Sequence, residues 1–156
     1  MKSSEAARAR FGLRKNVQKS SLLAGAAVFV LGVLGFIPGV TANYGTLAFA
    51  GHGSEAMLLG VFQVSVLHNL IHLLSGVAGV LMSRRPLPAR NFLIGAGVTY
   101  MVLWSVGQFL ALDSPVNILP VNSADNWLHL FLGMALIGFG VAFSRDAPAK
   151  LRESRA

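Results

Sequence analysis

Residues 66–76, VLHNLIHLLSG, decide the fold. The stretch is apolar enough to lie in lipid, yet His68 and His72 stand four positions apart in it, and Asn69 follows the first of them. Polar side chains are costly in a membrane and normally face the interior of a helical bundle. The stretch therefore predicts a membrane-embedded helix with one polar, inward-facing side.

The whole chain shows the same bias towards a membrane. Only 12% of its 156 residues are charged, against about 25% in soluble domains, whose surfaces need more charge. Four apolar segments each have roughly the 20 residues that a helix needs to cross the hydrocarbon layer. We predict an all-α integral membrane four-helix bundle within residues 21–144, with helices at about residues 21–40, 57–82, 91–112 and 126–144. The absence of cysteine excludes disulfides and thiolate metal sites.

The basic residues predict the orientation of the bundle. All thirteen lie in residues 1–20, 84–90 and 145–156, and four helices place these three segments on one side of the membrane. By the positive-inside rule, both termini are then cytoplasmic. We therefore predict a multi-pass protein of the bacterial plasma membrane, with a basic cytoplasmic N-terminal segment (residues 1–20) and a basic cytoplasmic tail (residues 145–156). We therefore assign the net charge of +7 to topology and to attraction of anionic lipid headgroups, not to nucleic acid.

An internal repeat links the second and fourth helices. HNLIHLLSGVAG, from His68, aligns without gaps on DNWLHLFLGMAL, from Asp125. The returning helices of two helical hairpins would match in this way if a pseudo-two-fold axis along the membrane normal related the hairpins. The first and third helices match far less well. The pairs of identical residues include Asn69 and Asn126, His72 and His129, and Gly76 and Gly133.

Helical periodicity places polar residues and glycines on one side of each returning helix. Glycines let helices approach closely, and polar side chains can hydrogen-bond between them. We predict helix packing at Gly76, Gly79, Gly133 and Gly140. The candidates for a polar seam or a ligand site are His68, Asn69, His72, Asp125, Asn126 and His129.

The two motifs LHNLIHLLSGV and ADNWLHLFLG, taken together, resemble the paired HNxxHxxxG and DNxxHxxxG signatures of a family of small bacterial membrane proteins. That family is frequent in actinobacteria and is known only as a domain of unknown function. The resemblance covers about residues 22–144. It implies four membrane helices and marks the polar face, and it implies no activity.

Three hypotheses for the polar face remain open. In the first, Asn69 and Asn126 hydrogen-bond to His129 and His72 across the pseudo-axis and fix the packing of a non-catalytic structural or accessory component. Such a component would self-associate or join a larger membrane complex.

In the second hypothesis, His68, His72 and His129 bind a divalent metal, or His72 and His129 are the axial ligands of a haem in a redox protein. In the third, the histidines carry protons or a small solute, because imidazole changes protonation near physiological pH. The sequence has no Gly-x-Ser-x-Gly, phosphate-loop or dinucleotide motif, so it points away from an enzyme and offers no catalytic residue.

Overall fold

The computed structural model describes residues 2–109 and 114–143, without the side chains of residues 2–11, 13 and 14. Its described part contains four α-helices, and the all-α prediction is confirmed. The basic tail at 145–156, Ser144 and the predicted end of the third helix at 110–112 lie outside the described residues. The helices are α1 (Lys2–Leu34), α2 (Val66–Met82), α3 (Pro86–Phe109) and α4 (Ser123–Ala142).

Three of these helices are long and apolar enough to cross a membrane, namely Lys15–Leu34 of α1, the whole of α3 and the whole of α4. Large apolar side chains on the helices face outwards, with exposed fractions of 70% for Leu23, 72% for Leu74 and 60% for Phe131. A soluble bundle would bury such side chains, whereas lipid accommodates them. The chain is therefore a multi-pass membrane protein. α2 is equally apolar but has only 17 residues.

The predicted first and third helices have different boundaries in the structure. α1 begins at Lys2 instead of residue 21 and ends at Leu34 instead of residue 40. It ends there because Gly35, Pro38 and Gly39 follow it, and Gly39 has a left-handed φ of 89° that no helix contains. α3 begins at Pro86 instead of residue 91. Proline suits the first turn of a helix, where a backbone N–H has no partner within the helix.

The largest correction concerns residues 57–65, which we predicted as part of the second helix. They belong instead to a small antiparallel sheet of β1 (Thr41–Ala42), β2 (Met57–Leu58) and β3 (Phe62–Gln63), in the order β1-β2-β3. Leu59 and Gly60 both have left-handed φ values, 54° and 70°, and form a turn that excludes helix here. We call residues 35–65, which contain this sheet, the loop cap.

The four helices pack as two pairs. α1 lies along α2, α3 lies along α4, and the pairs meet mainly through α1 and α3. At this junction a core forms from Val17 of α1, Phe92, Leu93 and Tyr100 of α3, and Leu136 of α4. The loop cap has a separate core of Ala56, Leu58 and Val64.

Candidate functional site

Each helix pair holds a buried asparagine against a glycine. Asn69 of α2 is fully buried against Gly35, directly after α1, and a Cβ atom at Gly35 would overlap its amide group. Asn126 of α4 lies in the same way against Gly107 of α3, and its Nδ2 donates a hydrogen bond of 3.0 Å to the Gly107 carbonyl. We name these two contacts the asparagine notches. Glycine makes them possible, because it leaves room for the amide and exposes its own backbone.

The predicted hydrogen bonds between asparagine and histidine across the pseudo-axis are wrong. The Asn126 amide is bonded within its own hairpin, to the glycine of the neighbouring antiparallel helix. Asn69 likewise contacts Gly35. In the described structure its amide oxygen and nitrogen have no hydrogen-bond partner. The asparagines therefore fix the packing within hairpins rather than between them.

The predicted packing glycines also lie where helices approach closely. A Cβ atom at Gly76 would stand 2.6 Å from the Phe29 Cα atom of α1, and one at Gly133 would stand 2.8 Å from the Met101 side chain of α3. Gly79 and Gly140 likewise have no room for a methyl group, because Phe92 and Ile94 respectively lie against them. Such positions bring two backbones together, which is how small residues stabilise membrane helix pairs.

Three histidines and a tyrosine form a cluster between the hairpins, which we call the ring cluster. The ring centroid of His68 lies 4.6 Å from that of His72 and 6.5 Å from that of His129. Tyr100 lies 5.3 Å from His129. His68, His129 and Tyr100 are buried. Tyr100 could not be predicted as part of this cluster, because a single tyrosine in an apolar helix has no spacing that distinguishes it.

The histidines are poorly supplied with hydrogen-bond partners. His68 bonds to the backbone of Pro120, but the Nδ1 atoms of His68, His72 and His129 are all buried without a partner in the described structure. A buried polar atom without a partner costs about 1–3 kcal/mol. The ring cluster thus lowers the stability of the fold. The predicted hydrogen bonds between helices do not explain why these histidines are present, because their Nδ1 atoms have no partner in the described structure.

A cavity of about 130 Å³ lies beside the ring cluster, and we call it the chamber. Helices α1 to α4 all contribute to its wall, and Leu119 and Val121 close it next to Pro120. Apolar side chains such as Phe92 and Leu136 form most of the wall. The polar side chains are His68, His72, Ser75, Thr99, Tyr100 and His129.

The geometry of the ring cluster does not favour the metal and haem hypotheses. No group of three His, Asp or Glu side chains converges on a metal position in the part of the chain that the structure describes. A haem is larger than a drug-sized ligand, for which pockets of about 300–1,000 Å³ are usual, and the chamber has about 130 Å³. His72 and His129 therefore do not enclose a space that a haem would fit.

Asp125 aligns with His68 in the repeat, but unlike His68 it contacts the loop cap through its carboxylate. Its carboxylate accepts hydrogen bonds from the backbone N–H groups of Gln63 (3.0 Å) and Asn122 (2.9 Å). Asn122 in turn accepts from the Asp125 N–H, which completes a capping box, and its Nδ2 donates to the Val61 carbonyl at 2.8 Å. Asp125 thus joins the start of α4 to the loop cap.

Comparison with known proteins supplies a family but no activity. No curated protein and no solved structure matches the chain. The family model that does match runs from within α1 to the end of α4, and so includes the asparagine notches, the ring cluster and the chamber. The match covers residues 18–142, and the chain belongs to the family described as Domain of unknown function (DUF4383).

Proposed function

We propose that the chain is a non-catalytic structural or accessory component of the bacterial plasma membrane, built from two repeated helical hairpins. The observation that carries the proposal is the duplicated asparagine notch, Asn69 on Gly35 and Asn126 on Gly107. Two buried amides at corresponding places serve packing, and neither lines the chamber.

Equal spacings support a repeat of the whole hairpin. Asn126 follows Asn69 by 57 positions, and Gly107 follows Gly35 by 72. The same two offsets relate the contact of Gly76 with Phe29 to that of Gly133 with Met101. They also relate the contact of Gly25 with the Val80 backbone (2.7 Å from a Cβ at Gly25) to that of Gly97 with the Ile137 backbone (3.0 Å). Three contacts with common offsets favour duplication over coincidence.

α2 is proposed as the fourth span. Its 17 residues are at the lower limit for crossing a bilayer. The backbone carbonyls of Ala48 and Phe49 accept hydrogen bonds from the N–H groups of Val66 and Leu67, which meets the need to satisfy a helix end in lipid. Four spans bring the basic segments at residues 1–20, 84–90 and 145–156 to the cytoplasmic side, near anionic headgroups.

An absorption spectrum and a metal analysis of the detergent-purified protein test the proposal against the redox hypothesis. We expect no Soret band and less than stoichiometric metal, because the chamber is small for haem and the histidines do not converge on a metal position. His72→Ala would serve as the control, since a bound metal or haem would decrease in this variant. A Soret band or one equivalent of metal that disappears in the variant would replace the structural role by a redox one.

A further inference from the structure

The ring cluster and the chamber are not explained by a packing role. We propose that the chamber is a binding site for a neutral, ring-sized molecule that bears a hydroxyl or carbonyl group. The site goes beyond the structural role, because the asparagine notches would hold each hairpin together whether or not the chamber binds anything. Four properties of the chamber support such a ligand, namely its size, its polar side chains, its charge and its position relative to lipid.

The size of the chamber limits the ligand to about one ring. An apolar protein cavity of about 150 Å³ holds benzene, and the chamber has about 130 Å³. Apolar side chains from several elements, including Val28, Phe92, Leu103 and Leu136, form most of its wall. A six-membered ring with one or two substituents therefore matches both the volume and the apolar surface.

The polar side chains in the wall of the chamber favour a hydrogen-bonding group on that ring. The side chains of His68, His72, His129 and Tyr100 line the chamber. A neutral imidazole offers one donor and one acceptor, and a phenol offers one of each. Hydroxyl and carbonyl groups can therefore pair with this cluster, which a pure hydrocarbon cannot do.

The charge of the chamber favours a neutral ligand. None of the described residues that line it is Asp, Glu, Lys or Arg. A charged ligand would lose its hydration without gaining a counter-ion, which is strongly unfavourable in an apolar surrounding.

The chamber is accessible from the lipid side. Ile71 of α2 and Thr99 of α3 both line it, and both are exposed on the outer surface of the helix bundle. An opening between these two helices would connect the chamber with the surface. A ligand from the membrane can pass there, either as a small free molecule or as the ring end of a lipid-soluble compound with its chain outside.

Fluorine NMR on the full-length protein in detergent tests the site with two isosteric probes, 4-fluorophenol and 4-fluorotoluene, with empty micelles as the reference for partitioning. We expect saturable binding of both probes, with 4-fluorophenol bound more tightly. His72→Phe and His129→Phe keep a ring but remove its nitrogen atoms. Each should weaken 4-fluorophenol binding about ten-fold, as the loss of one hydrogen bond predicts, and change 4-fluorotoluene binding less than about three-fold.

A matched pair of variants separates the chamber from the lipid-facing surface. Ala24 lines the chamber, whereas Ala27 on the same helix is exposed and does not line it. Ala24→Leu should fill the chamber and weaken binding of both probes at least ten-fold, while Ala27→Leu should bind as the unchanged protein does. The histidine variants still test the site if Ala24→Leu does not fold.

Competition identifies the source of the ligand. Displacement of 4-fluorophenol by a short-chain isoprenoid benzoquinone supports the ring end of a membrane lipid, and displacement by phenol alone supports a free small molecule. The proposal is overturned if 4-fluorophenol shows no saturable binding, if Ala24→Leu binds it unchanged, or if the histidine variants affect both probes equally. None of these results would affect the asparagine notches, so the structural role would stand.

Discussion

Gly107→Ala places a methyl group where the Asn126 amide lies. A Cβ atom at Gly107 would overlap the Asn126 side chain, so the amide must move and give up its 3.0 Å hydrogen bond to the Gly107 carbonyl. Gly95→Ala is the matched control, because it lies on the same helix and a Cβ atom there would meet nothing within 4 Å.

Three effects decide the size of the change. The lost hydrogen bond is worth about 0.6 kcal/mol on the average for membrane helices. Overpacking a tight contact costs about 1–3 kcal/mol, and replacing glycine by alanine within a helix returns about 1 kcal/mol. The steric cost therefore exceeds the helix-propensity gain, and Gly107→Ala should lose about 0.5–2.5 kcal/mol. In Gly95→Ala only the gain remains, so that variant should be unchanged or slightly more stable.

Unfolding by SDS in mixed detergent micelles, followed by far-ultraviolet circular dichroism, measures both variants under one condition. We expect opposite signs, with the midpoint of Gly107→Ala below that of the unchanged protein and the midpoint of Gly95→Ala at or above it. Equal midpoints for the two variants would refute the reasoning, because they would show that the Asn126 amide is not held against Gly107.

Two further predictions concern the loop cap and the orientation. Asp125→Ala removes the acceptor for the Gln63 and Asn122 N–H groups. Since bonds to a charged group are worth about 1.5–3 kcal/mol each, the Gln63 amide should exchange its hydrogen at least ten-fold faster, and unchanged exchange would contradict the contact. A reporter fused to the C-terminus should behave as cytoplasmic, because the four proposed spans would bring the basic segments to one side of the membrane. Activity of the reporter outside the cell would exclude that topology.

Composition was sufficient to predict that the helices exist but not the residues at which they begin and end. Residues 57–63 are as apolar as α2 itself, so hydropathy cannot separate β2 and β3 from the helix that follows. The decisive features are local, namely the left-handed turn at Leu59 and Gly60 and the Ser65 side chain that caps α2 by accepting from the His68 N–H. Side-chain capping of this kind recurs at the start of α4, where Asn122 and Asp125 form a capping box that the N-x-x-D spacing could have indicated.

Spacing indicated which residues are inside but not what they contact. α4 buries Asp125, Asn126, His129, Gly133, Leu136 and Gly140, the set that helical periodicity places on one side. Helical periodicity does not identify the residue that a buried side chain contacts, because it carries no information about the neighbouring helix. Tyr100 shows the same limit, since only the tertiary arrangement brings it to His129.

The Asn-x-x-His unit shared by the returning helices divides between two surfaces, and helix geometry gives the reason. Asn69 and His72 are three positions apart, so at about 100° per residue their side chains point about 60° apart. Asn69 faces Gly35 of its own hairpin, and His72 faces the chamber between the hairpins. His68 lies four positions before His72, about 40° away, and therefore joins His72 in the ring cluster. Substitution of the asparagine should thus act on the hairpin alone, and substitution of either histidine on the chamber.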